Sequence, residues 1–335
     1  MDPFGPTLPD IRPETLELTE IWDKTFPKDP EVNQKKVTFV NHYGITLAAD
    51  LYRKKDAKGL LPAVAVCGPL GAVKEQAGGF YAQELAKRGF LTIAFDPSFS
   101  GESGGFPRSS ASPDINTEDF LAAVDFLSTS DEADPDRIGI LGISGFGGMA
   151  VNAASADPRI RACVSVSMYD MSRLAANGFF EAHDSPGDRR WKREAFARQR
   201  TEDYRNGFYS LSEGISEYVP KSTPEFVRDY REYYLGPRGM HARSANSNGG
   251  FIATNAVAFM NMPQLSFASE IESAVFLIHG EKAHSRYFSE TAFNKLRGNN
   301  KRLLIIPGAT HLDLYDRMDI IPFGEIEAFY NKYLV

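Results

Sequence analysis

Ile138-Gly-Ile-Leu-Gly-Ile-Ser144-Gly-Phe-Gly-Gly-Met-Ala-Val-Asn152 opens as an apolar run, reaches one serine set among glycines and continues in small residues. The pattern predicts a strand, a sharp turn and a helix. A serine at the tip of such a turn has its hydroxyl lifted clear of the sheet, and the backbone N–H of Gly145 is free to face a reacting oxygen. Gly142 leaves room for the tight backbone, while Gly147 and Gly148 let the helix lie close to the strands. The core of the stretch reads G-x-S-x-x-G, a partial match to the nucleophile pattern G-x-S-x-G, because Phe146 takes the fifth place. Such a turn also serves to pack a helix tightly or to hold a phosphate, so the serine needs partners elsewhere in the chain.

Working outward, Leu61-Pro-Ala-Val-Ala-Val-Cys67, Phe90-Leu-Thr-Ile-Ala-Phe95 and Ile160 to Asp170 are apolar runs that suit strands buried on both faces. Helical stretches from Phe80 to Arg88 and from Thr117 to Ser128 alternate with them, which predicts a mostly parallel sheet flanked by helices. Upstream, Lys36 to Val40 and Ile45 to Tyr52 alternate around Asn41-His-Tyr-Gly44 and predict a hairpin at the sheet edge. Residues 1–30 read as a surface arm, with a short helix around Glu14 to Lys24. Two core segments, 31–171 and 271–335, are expected to enclose a helical cap, 172–270, where aromatic and charged residues mix without a long buried strand. The parallel pattern resumes with Ala274 to His279 and Arg302 to Ile306 and closes with a helix near Phe323 to Tyr333.

At 335 residues the chain can bury a sizeable core, and its net charge of −7, from 37 basic and 44 acidic residues, argues against a general nucleic-acid binder. Cys67 and Cys163 lie in apolar runs without C-x-x-C spacing and read as small buried hydrophobes. No apolar run reaches the roughly 18 to 20 residues of a membrane span, and the first residues lack a basic start and an apolar stretch. The expectation is a cytoplasmic protein, a removed leader peptide aside. No metal, nucleotide or other cofactor motif is present, and homo-oligomerisation is left open.

A serine hydroxyl is a poor nucleophile at neutral pH and needs a histidine base, with an acid to hold that histidine in the right tautomer. His311, in Pro307-Gly-Ala-Thr-His-Leu-Asp313 after the last expected strand, stands where an α/β-hydrolase places its base. His279 and His284 read as supporting or satisfied core histidines, and His42, His183 and His241 fall in loops or the cap. The usual aspartate after the next-to-last strand is missing, because Gly280-Glu-Lys-Ala283 carries alanine at that place. Asp170 is favoured as the acid, with Glu281 the rival and Asp313 and Asp316 behind them. Besides Gly145, the loop Gly68-Pro-Leu-Gly71 offers Leu70 as the second oxyanion donor.

Several motifs taken together resemble the YcjY-like α/β-hydrolases. They are Gly71-Ala-Val-Lys-Glu-Gln76, Phe95 to Gly105, Gly142 to Gly148, Met168-Tyr-Asp-Met171, Gly280 to Glu290 and Thr310 to Asp316. That group is related to fungal polyketide transferases and more distantly to dienelactone hydrolases and the cocaine esterase/X-prolyl peptidase group. The resemblance runs from about residue 32 to the C-terminus. It implies serine or cysteine at position 144, where this chain has serine, and ester, lactone or thioester chemistry. Cys67-Gly-Pro departs from the more usual His-Pro of the first loop. The expected activity is therefore that of a carboxylesterase-like serine hydrolase acting on a small-molecule acyl substrate, with a hydrophobic acyl group suggested by the aromatic cap. A polyketide-modifying acyltransferase and a non-catalytic ligand-binding pseudo-hydrolase remain as alternatives.

Overall fold

The computed structural model describes residues 11–335 apart from 213, 216, 217, 219 and 221; residues 1–10 of the expected arm lie outside the described residues. The alternating segments form β1 (Val32–Val40) and β2 (Thr46–Lys54), an antiparallel pair running from Val32 opposite Lys54 to Val40 opposite Thr46. Asn41 closes the turn, its Oδ1 accepting from the N–H of Tyr43 and of Ile45. The apolar runs become β3 (Leu61–Cys67), followed by α1 (Ala77–Lys87), and β4 (Leu91–Phe95), followed by α2 (Pro113–Ser128). Ser112 caps α2 and Pro113 starts it, so a residue that would break a helix interior sits where its missing N–H costs nothing.

β5 (Ala133–Ile143) leads through Ser144 into α3 (Gly145–Ala156), and β6 (Ile160–Val166) follows. Four helices then intervene: α4 (Met171–Asn177), α5 (Pro186–Asn206), α6 (Glu225–Tyr234) and α7 (Ala256–Asn261). Among the described residues of this segment the only strand-like pairing is the bridge of Leu211 with Ile252. The sheet resumes with β7 (Ala274–Gly280), α8 (Arg286–Lys295) and β8 (Lys301–Ile306), and the chain ends in α9 (Asp313–Asp316) and α10 (Phe323–Tyr333).

The eight strands lie in the order β1-β2-β4-β3-β5-β6-β7-β8, parallel from β4 onward. One face packs against α2, α3 and α8 around Phe120, Phe146, Met149 and Phe288, and the other against α1 and α10 around Tyr81, Phe276, Phe329 and Tyr330. Cys67 and Cys163 are both buried in this core. The register sets Cys67 beside Gly142, Gly142 beside Ser165, and Ser165 beside Leu277, so four central strands end at one edge. The loops that follow them therefore meet.

The helix expected near Glu14 to Lys24 does not form. Backbone donors there are committed to the core: Glu14 N–H to Thr46 Oγ1, 2.8 Å; Thr19 N–H to Glu102 Oε1, 2.6 Å; and Thr25 N–H to the Glu75 carbonyl, 2.9 Å. Those donors are then unavailable for helical bonds, and the arm lies extended against the sheet edge.

Candidate active site

Ser144 occupies the turn between β5 and α3 with φ 58° and ψ −121°, a left-handed conformation rare for a side-chain-bearing residue. The strain is held in place from both sides. Ser144 N–H donates to the Val166 carbonyl at 2.8 Å, and the Ser144 carbonyl accepts from the N–H of Gly147 and of Tyr169, each at 2.9 Å. A Cβ on residue 142 would stand 2.1 Å from the Phe146 carbonyl, so Gly142 is demanded by the elbow. Leu70 and Gly145 line the same cavity as Ser144, and a Cβ on Gly145 would lie 2.8 Å from that of Leu70. Leu70 and Gly145, the residues expected to supply the oxyanion donors, thus adjoin each other beside the serine.

His311 comes from the loop after β8. Thr310 and Asp313 brace that loop by exchanging backbone-to-side-chain bonds, and the His311 carbonyl accepts from Ser167 Oγ at 3.2 Å. Its Nε2 lies 3.3 Å from Ser144 Oγ and 3.0 Å from Tyr315 Oη, one helical turn further on. Ser144 is 5 % exposed and His311 2 %. Burial pushes the His311 pKa well below its ordinary value, and the neighbouring His284 and His279 push it the same way. The imidazole is therefore neutral at neutral pH and keeps an unprotonated ring nitrogen, with its charged form disfavoured.

The expected acid, Asp170, and its rival, Glu281, have other partners. β6 ends at Val166, Ser167 turns the chain with φ 46°, and Asp170 becomes the cap of α4. Its Oδ1 accepts from Arg173 N–H at 3.0 Å and from the Ser172 hydroxyl. Glu281 Oε2 accepts from Gly308 N–H at 2.8 Å. Among the described residues, neither carboxylate is hydrogen-bonded to His311. That place is taken by Ser285, whose Oγ lies 2.6 Å from His311 Nδ1 and 2.9 Å from His279 Nε2; His279 Nδ1 in turn lies 2.6 Å from Ser289 Oγ. All four of these side chains are within the core. Ser285 and Ser289 were missed in the sequence, although their four-residue spacing at the start of α8 places both hydroxyls on one helix face, toward the end of β7.

A cavity of about 530 Å³ opens over Ser144, walled by Leu70, Met171, Leu174, Phe179, Phe226 and Phe251. No described residue lining it carries a charge; Tyr169, Tyr230, Tyr234, Tyr315, Ser212 and Asn246 are its polar side chains besides Ser144. His284 stands at its rim, stacked on Phe226 with ring centroids 4.0 Å apart and hydrogen-bonded through Nε2 to Tyr169 Oη. Burial lowers its pKa to about 4.

Behind the first loop, the quoted motifs Gly71 to Gln76 and Phe95 to Gly105 meet in a buried ionic knot. Lys74 Nζ reaches Asp96 Oδ2 at 2.7 Å, Glu102 Oε2 at 2.6 Å and Glu75 Oε1 at 2.8 Å. Those three carboxylates converge closely enough to suit a metal ion, but the ammonium occupies their meeting point and neutralises them in part. The donor set is thus filled by the chain itself and ties two loops together.

No helix among the described residues is long and apolar enough to cross a membrane. Residues 43–313 match the model of the X-Pro dipeptidyl-peptidase (S15 family). Protein PA2218 of Pseudomonas aeruginosa is 50% identical over 95% of this chain and 86% of its own length. Its crystal structure superposes with a TM-score of 0.93, at 49% identity, over 96% of this chain and 99% of that one. Protein YcjY of Escherichia coli is 34% identical over 84% of this chain and 92% of its own length. A thiohydrolase, apmlB, of Arthrinium phaeospermum is 30% identical over 80% of this chain and 86% of its own. With the sheet order, these similarities show that the chain belongs to the YcjY-like α/β-hydrolases of the S15 family.

Proposed function

We propose that the protein is a serine hydrolase that cleaves a carboxylic ester, lactone or thioester with an apolar acyl group, through an acyl-enzyme on Ser144. The observation that carries this reading is Ser144 Oγ, 3.3 Å from His311 Nε2, on a strained elbow beneath a cavity of about 530 Å³ whose described lining is mostly apolar. His311 Nε2 takes the Ser144 proton as Oγ attacks the carbonyl carbon. The Leu70 and Gly145 N–H groups receive the oxyanion, and the proton then passes to the leaving oxygen or sulfur. Water, deprotonated by the same nitrogen, releases the acid.

The cavity size is in the range of small-molecule sites, and its aromatic and aliphatic walls favour an apolar acyl chain. A free ammonium, as on a dipeptide substrate, finds no carboxylate among the described lining residues. The name of the thiohydrolase relative supports including thioesters. A second reading, transfer of the acyl group to an alcohol or amine, draws on how little of Ser144 and His311 meets solvent, since a dry site slows attack by water.

The test is a panel of nitrophenyl esters and N-acetylcysteamine thioesters of two to twelve acyl carbons and an X-Pro anilide, with and without added alcohols. Turnover of medium-length acyl substrates is expected, falling by at least about a thousandfold in Ser144→Ala. Full activity in Ser144→Ala would overturn the mechanism. Preferred cleavage of the anilide would replace the proposed substrate class.

A further inference from the structure

We propose that Ser285 and His279 do the work of the missing triad carboxylate, holding His311 in its Nδ1-protonated tautomer through an uncharged hydrogen-bond relay. This rests on the reading of Ser144 and His311 given above. The chain of contacts is unbroken: Ser144 Oγ to His311 Nε2, 3.3 Å; His311 Nδ1 to Ser285 Oγ, 2.6 Å; Ser285 Oγ to His279 Nε2, 2.9 Å; His279 Nδ1 to Ser289 Oγ, 2.6 Å. Ser285, His279 and Ser289 are fully buried, so water does not compete for these bonds.

Each link has limited proton options. A serine hydroxyl carries one proton, and each neutral imidazole carries one N–H and one acceptor nitrogen. The relay can therefore point only one of two ways. In the productive direction, His311 Nδ1–H donates to Ser285, the Ser285 hydroxyl donates to His279 Nε2, and His279 Nδ1–H donates to Ser289. His311 Nε2 is then a bare lone pair facing Ser144. In the reverse direction every donor and acceptor exchanges, and His311 Nε2 carries a proton and cannot act as a base. Ser289 Oγ closes the relay at its far end, accepting from His279 Nδ1–H in the productive direction and donating to Nδ1 in the reverse one, so the tautomer of His311 is what the test below reads.

During attack the Ser144 proton moves to His311 Nε2 while the Oγ–carbon bond forms. The Nδ1–H stays on His311 and its bond to Ser285 strengthens as the ring becomes positive, and no proton need leave the relay. The Nε2 proton then goes to the departing group. Ser285 and His279 touch no reacting atom; they are positioning residues. Asp170, which the order of the sequence favoured, is engaged in capping α4.

The experiment has two arms on the full chain. The first is 15N NMR of histidine-labelled enzyme at neutral pH, with resonances assigned by single histidine substitutions. It is expected to find His311 protonated at Nδ1, with that proton shifted downfield by its short bond and returned upfield in Ser285→Ala. An Nε2-protonated His311 would overturn the proposal. The second arm is the rate of fluorophosphonate labelling at Ser144, with circular dichroism to confirm folding. Ser285→Ala is expected to slow labelling about 10- to 100-fold and Ser285→Thr to restore it to within a few-fold, while Asp170→Asn stays near the parent rate. A loss in Asp170→Asn with none in Ser285→Ala would overturn the relay. Absence of any label on the parent's Ser144 would instead sink the nucleophile reading, and the NMR arm would still decide the relay.

Discussion

The backbone at Ser144 costs about 1 to 3 kcal/mol relative to a relaxed conformation, which the three hydrogen bonds around it sustain. The side chain so presented does not have His311 to itself. Nε2 has one lone pair in the productive tautomer, and Tyr315 Oη, at 3.0 Å, is nearer to it than Ser144 Oγ, at 3.3 Å. Burial raises the Tyr315 pKa, so its hydroxyl stays protonated and remains a donor at any working pH. Tyr315 is thus a competitor in the resting enzyme. Replacing it by Phe is expected to raise the rate of fluorophosphonate labelling about three- to tenfold, the worth of a hydrogen bond of about 1 kcal/mol. A fall in that rate would mean that the hydroxyl serves the transition state. Ser144 and His311 were legible because a glycine-bound serine and a histidine after the last strand are constrained by the sheet itself. The relay was not legible, since a serine beside a buried histidine has no spacing that distinguishes it from an ordinary packed hydroxyl.

Strand ends were equally legible, and for one reason: runs such as Val64 to Cys67 and Ile138 to Ile143 are apolar without interruption, as strands buried on both faces must be. Where the chain leaves the sheet that signal stops. The apolar run after Ile160 continues past Val166 through Met168, so Asp170 read as a strand end, whereas the turn at Ser167 redirects it into a helix cap. The clamp on the first loop was hidden likewise, because it comes from residues far along the chain. Asn246 Nδ2 donates to the Leu70 carbonyl at 2.9 Å, and the Gly71 carbonyl accepts from Ser244 Oγ at 2.7 Å and from Asn246 N–H at 3.1 Å. This segment thereby holds the two peptides that follow the Leu70 N–H, the proposed oxyanion donor, and limits how far that donor can turn. Asn246→Ala is expected to lower kcat about tenfold with KM within about twofold, at a cost of about 1 kcal/mol in stability by urea unfolding. Gly71→Ala should be worse on both counts. Its φ is 86°, and the added Cβ would stand 2.3 Å from Asn246 Oδ1. A KM effect alone in Asn246→Ala would place Asn246 in substrate binding instead.

Over the whole molecule, the way these groups are buried sets how folding responds to acid. His279 is held neutral by burial with its pKa lowered to about 3, His284 is lowered to about 4, and His311 is lowered too. Unfolded histidines titrate near 6.5. Below that pH the unfolded chain takes up protons that the folded chain refuses, so stability present in full above about pH 6.5 is lost as the pH falls. Asp119 works the other way. Burial raises its pKa to about 6, so between about pH 6 and 4 the folded chain keeps a proton that the unfolded chain releases, offsetting one histidine. His241 is lowered like the other histidines, while Asp96, Glu118 and Asp229 are raised like Asp119, so the loss begins below about pH 6.5 and is partly offset toward pH 4. Carboxylates with lowered pKa values, such as Glu75 at about 2 in the Lys74 knot, add their loss only below about pH 4.5. Urea unfolding at intervals from pH 7.5 to 4.5 is therefore expected to show the midpoint falling from about pH 6.5 downward, before the carboxylates with lowered pKa values contribute. A midpoint constant down to pH 5 would mean that the histidines at the active site take up protons while folded, and that the neutral relay does not survive mild acid.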